Sequence, residues 1–176
     1  PEELEVRALT ELWVELAGQK KSAKYARTTT DNPIAVEVHK TLKRLIEKLS
    51  EEIHREALRL PLYKEAVEEL GLKGPILAYI ISHDSMALMT LPRDKLAIRY
   101  GMVERPWRKR PLRSRLLILL AWAAVLQHHP RYRKIYDHYR QKGQKHWYSI
   151  LRVAKRLLRD LRQLREDRQQ TQKAGP

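Results

Sequence analysis

The stretch PIAVEVHKTLKRLIEKLSEEI, residues 33–53, decides the fold class. Its apolar residues Val38, Leu42, Leu45, Leu49 and Ile53 are spaced by 4, 3, 4 and 4, a helical period, and Lys43, Arg44, Glu47, Lys48, Glu51 and Glu52 flank them. A stripe this narrow has the form of a coiled-coil seam, in which a facing helix covers each apolar side chain. Upstream, Leu9, Leu12, Trp13 and Leu16 also recur at helical spacing. They predict a first helix from Leu4 to about Ala26, weakened at Gly18 by the backbone freedom of glycine. Thr30, Asp31 or Asn32 can accept hydrogen bonds from the free N–H groups of a following helix, and Pro33 suits its first turn. Residues 27–33 therefore read as a linker and Ile34 to Leu60 as the second helix. Helices joined in this way form an antiparallel hairpin, or pair with a second chain as a homodimer through residues 38–53.

Beyond Pro61 the elements shorten. A helix to Leu70, a turn over Gly71–Gly74, a helix from Pro75 to about Ser82 and another after Pro92 are punctuated by prolines and glycines, as compact helices are. A longer helix is expected from Pro111 to His128, with Leu112, Leu116, Leu119, Leu120 and Ala123 facing inward. Further helices follow from Tyr132 to Gln141, before Gly143, and from His146 to beyond Leu164. Nothing alternates like a strand, so the fold class is all-α. Its expected parts are a helical coiled-coil or hairpin segment (1–60), a compact basic multi-helix domain with a degenerate helix-hairpin-helix (61–168), and a tail (169–176) without an apolar residue able to dock it.

Composition narrows the chemistry. The 176 residues contain no cysteine, which excludes disulfides, thiolate metal sites and cysteine nucleophiles. The longest uncharged apolar run, Leu116 to Leu126, falls short of the roughly 20 residues that span a bilayer. The opening PEELE lacks the basic and apolar character of an export signal. The expectation is a cytoplasmic chain with no membrane partner.

Charge says more by its distribution than by its total of +15. Residues 1–60 hold 11 Lys/Arg against 11 Asp/Glu, residues 61–104 hold 5 against 6, and residues 105–176 hold 20 against 4. Such a one-signed field attracts a polyanion, and 14 of those 20 cations are arginines, whose planar fork suits phosphates and guanine edges. The expected partner is DNA, with structured RNA as an alternative. The run RPWRKRPLRSR, residues 105–115, supplies Arg105, Trp107, Arg108, Lys109, Arg110, Arg113 and Arg115 as candidate contacts, an aromatic ring among cations. It also reads as a nuclear localisation signal or a solvated loop. In the last helix Arg152, Arg156, Arg159 and Arg162 form a ladder spaced by 4, 3 and 3, while Leu151, Ala154, Leu158, Leu161 and Leu164 form a packing stripe.

The turn GLKGPILAYII, residues 71–81, fits a helix-hairpin-helix at Gly74, Pro75, Ala78 and Ile81, where backbone N–H groups at a helix start would meet a phosphate. Leu72 and Lys73 depart from that pattern. Lys73 supplies a charge for a phosphate, and an ordinary helical corner explains the turn equally well. The run Ser82-His83-Asp84-Ser85 has the residue types of a catalytic triad, but neighbours on a helix end point apart. His128, His129, His138 and His146 offer no helical i, i+4 pair and no carboxylate at ligand spacing, and read as basic-surface histidines touching phosphate rather than as metal ligands. No metal or cofactor is expected.

In order and spacing these segments resemble the C-terminal two-thirds of Piv-related insertion-sequence transposases, whose N-terminal domain is RuvC-like with a DEDD metal site. Leu9 to about Ile53 resembles the family's helical linker, and Leu70 to Ile81 its "PGIGP…A" segment. KLAIRYGM (95–102) resembles "LAAYAGL", KRPLR (109–113) the "K-R-G-N-x-x-L-R" run, YRQKGQK (139–145) the "Y-x-x-L-x-x-K-G-K" element, and AKRLL (154–158) the closing "A-x-R-K-L-L". The resemblance implies an all-helical recombinase part that holds DNA and a structured guide RNA, and adds Lys142 and Lys145 to the candidate contacts. The family's serine is missing from residues 102–108, and its metal domain would precede residue 1. The chain is therefore expected to hold nucleic acid without cutting it, as a fragment or a shortened relative. A free-standing nucleic-acid chaperone or assembly scaffold is the alternative.

Overall fold

A computed structural model describes residues 2–30, 32–102 and 110–173. Among them are eight helices and no strand: α1 (Glu2–Thr30), α2 (Pro33–Ala57), α3 (Pro61–Leu70), α4 (Pro75–Thr90), α5 (Arg93–Arg99), α6 (Leu112–Leu126), α7 (Pro130–Gln141) and α8 (His146–Lys173). No helix among the described residues is long and apolar enough to cross a membrane. The chain divides into two compact units, residues 1–64 with 73–82, and residues 65–72 with 83–176.

In the first unit α1 and α2 pack as a hairpin. The linker between them is shorter than expected because α1 continues through its three threonines. The hydroxyls of Thr28, Thr29 and Thr30 donate to carbonyls of Lys24, Tyr25 and Ala26, so these side chains satisfy themselves on the preceding turn without interrupting the helix. Asn32 then caps α2, its side chain accepting from the Ile34 N–H at 2.9 Å, and Pro33 opens the first turn. The α2 stripe is split by this packing. Ile53 is fully buried along with Ile46 and Ala57, whereas Val38 and Leu45 stay exposed, Leu45 at 47%. Across the pair the Trp13 indole N–H donates to Ser50 Oγ at 3.0 Å, and Ser50 donates to the Ile46 carbonyl. Tyr63, buried with Leu77 and Ala78 in the same unit's core, shares its hydroxyl with His54 Nδ1 at 2.8 Å.

The second unit is built on α8, which packs against α5, α6 and α7. Its stripe works as expected, with Leu151, Ala154, Leu158 and Leu161 buried, joined by Val153 and Leu157. Helix α6 departs from the expected single inner face. Ser114, Leu116, Leu117, Ile118, Leu120, Ala121, Ala124 and Val125 are buried, while Leu119 lies exposed. A helix enclosed around most of its circumference has no polar face, so no periodicity marks its interior. His128 ends α6 at φ +54, and His129 starts α7 with Nδ1 accepting from the Arg131 N–H. His129 Nε2 lies 2.6 Å from the Leu70 carbonyl, so Nε2 carries the ring proton. Helix α4 runs past the expected end at Ser82 to Thr90, interrupted at Asp84 by non-helical φ −126 and ψ 19. Helix α8 runs to Lys173, into the segment expected to be a loose tail.

Candidate nucleic-acid interface

Helices α7 and α8 run side by side and open a groove of about 370 Å³ between them. Lys134, Ile135, His138 and Tyr139 line it from α7, and Arg152, Lys155, Arg156 and Arg159 from α8. Five of the eight are permanent cations and none is a carboxylate. Lys134, Arg152, Lys155 and Arg159 are exposed, so their charge is available to a ligand. The Arg152 guanidinium lies 5.5 Å from the centre of the Tyr139 ring, a cation–π contact that holds its plane in place.

One carboxylate sits behind this wall. Asp160 is 6% exposed and accepts from Arg156 Nε at 2.9 Å and from the Tyr132 hydroxyl at 3.2 Å, with Arg131 Nε at 3.3 Å. Arg156 is thereby fixed in direction. Tyr132 is fully buried, and its ionisation is pushed far up, first by burial and then by the neighbouring Asp160 charge.

A second cleft of about 280 Å³ flanks α8 where it meets α5. Its cations are Arg93, Lys155, Arg159 and Arg162, over an apolar floor that includes Leu96, Met102 and Leu158. Lys155 and Arg159 line both clefts, so they form a basic ridge between them. Both residues are exposed. A third cleft, about 240 Å³ between α6 and α8, is apolar and aromatic, with Trp122, Trp147 and His146 in its walls. The His146 ring meets Trp122 edge-on at 4.6 Å, and its Nδ1 pairs with the Tyr136 hydroxyl at 2.7 Å.

The sequence candidates divide sharply. Arg105, Trp107, Arg108 and Lys109 lie outside the described residues. Arg110 does not lie at the surface as expected: it is 3% exposed, donates to the Gly101 carbonyl and stands 5.8 Å from the Trp147 ring. Arg113 is held 3.3 Å from buried Asp84, which also accepts from Arg99 Nε at 3.0 Å, so it neutralises an interior carboxylate. The same pairing engages the acid of the Ser82–Ser85 run with Arg99 and Arg113. Arg115 is exposed on α6, and Lys142 and Lys145 are exposed between α7 and α8 without lining the groove. Lys73 is exposed, but the neighbouring Gly74 N–H is bound to the Tyr63 hydroxyl at 2.9 Å rather than presented to a phosphate.

Two contributors, Lys155 and Lys134, are not among the sequence candidates. Lys155 belongs to the ladder at three residues from Arg152 and four from Arg159, a signal present in the spacing. Lys134 and His138 form an i, i+4 pair on α7, but nothing local says that α7 lies beside α8. Among the described residues no group of three His, Asp or Glu could hold a metal ion. Comparison with protein-family models, with curated proteins and with solved structures gives no match.

Proposed function

We propose that this chain is the nucleic-acid-holding portion of a DNA recombinase of the transposase type, gripping DNA, with structured RNA as an alternative ligand, through the α7–α8 groove and the ridge beside it. One observation carries the binding part: five cations from two helices converge on one groove whose lining contains no carboxylate. Confining like charges at such density raises the energy of the free protein, and a phosphate backbone relieves it while releasing its own condensed counterions. The recombinase part rests on the sequence resemblance.

The test is Arg152→Ala, Lys155→Ala and Arg159→Ala together, all exposed positions on a helix where alanine is well tolerated. Arg156 is left in place because Asp160 needs it. Titration of duplex DNA against salt should show weaker binding and a log–log slope shallower by up to about 2.7, about 0.9 for each phosphate no longer neutralised. Unchanged affinity and slope would remove the groove from the interface.

A further inference from the structure

Summed over residues 1–60 the charges cancel, but the hairpin sorts them by position. The first 18 residues carry five glutamates and one arginine, whereas residues 19–30 carry Lys20, Lys21, Lys24 and Arg27 with no acid. In α2 a single acid, Glu37, comes first, and the cations Lys40, Lys43 and Arg44 follow it before the acidic run that starts at Glu47. Joined at Asn32–Pro33, the two helices lay the basic end of α1 against the basic start of α2. Arg27, Lys20, Lys24 and Lys43, drawn from both helices, are all near enough for their charges to act on His39.

The two ends of the hairpin treat their cations differently. Away from the tip, Arg7 pairs with Glu3, Arg55 with Glu52 and Arg59 with Glu56. At the tip, among the described residues, Lys43 has Glu47 at 3.9 Å, and Lys20, Lys21, Lys24, Arg27, Lys40 and Arg44 form no ion pair. The dipole of α1 favours cations in its last turn, which accounts for Arg27. It does not account for Lys40, Lys43 and Arg44, which lie two turns or more inside α2. His39 is held below its usual value, first by desolvation and then by these four cations. Tyr25, 72% exposed, follows Lys21 by one helical turn and so shares that lysine's face of α1.

We propose that the tip of the α1–α2 hairpin is a second nucleic-acid contact, with Lys20, Lys24, Arg27 and Lys43 meeting backbone phosphates and Tyr25 stacking on an unpaired base. On α1 the cations rise by about 6 Å and about 4.5 Å from one to the next, so successive phosphates of one strand meet successive side chains. A sparse row of cations with an exposed ring is the arrangement that holds single strands and loops. A bilayer surface asks for something else, a broad apolar face beneath the cations. Residues 19–31 contain no Leu, Ile, Val or Trp, and α2 adds a narrow exposed stripe of Ile34, Val38 and Leu45 rather than a broad apolar face. The site belongs to a different unit from the α7–α8 groove and shares no residue with it, so either can fail alone.

The experiment uses the full chain with labelled oligothymidylate, titrated at several salt concentrations. Lys20→Ala, Lys24→Ala and Arg27→Ala together should weaken binding and shallow the log–log slope by up to about 2, about 0.7 for each phosphate neutralised on a single strand. Helicity should persist, since alanine is the strongest helix former. Tyr25→Ala should weaken oligothymidylate binding without changing the slope. If both variants bind as wild type does while the groove variant loses affinity, the tip is not a contact and the groove stands. If the tip variant loses affinity and the groove variant does not, the tip stands and the groove falls. Cosedimentation of wild type with phosphatidylserine vesicles, abolished in the tip variant while its oligothymidylate binding is intact, overturns the proposal in favour of a membrane.

Discussion

Asp160→Ala tests whether a structural acid holds the basic groove together. Asp160 is the acceptor for the Tyr132 hydroxyl and the counter-charge of Arg156 and Arg131, so it ties α7 to α8 behind the groove. Removing it leaves a fully buried phenol without its acceptor, a loss of about 1–3 kcal/mol. The two arginines have side chains 41% and 44% exposed and return to water, so their share is at most about 1 kcal/mol together. The expected total is about 1–4 kcal/mol. Tyr132→Phe leaves Asp160 with both arginines and should cost about 1–2 kcal/mol. Combined with Asp160→Ala it should add little, because the group whose burial was penalised is already gone. Urea unfolding followed by tryptophan emission and circular dichroism measures all three variants. DNA binding of Asp160→Ala at low salt should hold or rise, because Arg156 and Arg131 lose a competing carboxylate. A cost below about 0.5 kcal/mol, or full additivity of the two changes, would refute the reasoning that this cluster fastens α7 to α8.

Gly101→Ala should destabilise by about 1–2 kcal/mol, read as a lower thermal midpoint, because the residue sits at φ +59 where a side chain is strained. The added Cβ would also meet Ser114 Oγ at 3.4 Å, and an unchanged midpoint would contradict the placement of this turn. Of the eight tyrosines, Tyr63, Tyr100 and Tyr132 should ionise late in an absorbance titration, because burial is the largest cause raising each. The folded pKa of each lies above the unfolded value near 10, so the associated stability is complete below about pH 10 and is lost as pH rises beyond it. Ionisation of all eight in one step near pH 10, with the fold intact, would contradict that burial.

The helices themselves were open to reading from sequence because their hydrogen bonds close within a few residues. Asn32 and Pro33 mark the start of α2, Gly143 parts α7 from α8, and the stripe from Leu151 to Leu161 faces the core as its spacing predicts. The excess of positive charge in the last 72 residues was equally plain, since it is a matter of counting. What each arginine does was not. Arg113 meets Asp84 across 29 positions and His129 meets Leu70 across 59, so a guanidinium or imidazole is committed by partners that no local window contains. Arg110 is drawn inside by the Gly101 carbonyl and the Trp147 ring, while Lys155, equally basic, is left on a ridge. The interior face of α6 was hidden for a related reason: packing encloses most of its circumference, and periodicity reports a face only when the other side meets water. The hairpin tip shows the same division within one segment. Sequence determined that residues 1–60 carry no net charge, and antiparallel packing decided that Lys20, Lys24 and Arg27 of α1 would lie at the same end as Lys40, Lys43 and Arg44 of α2, because Coulomb interactions follow distance in space rather than separation along the chain.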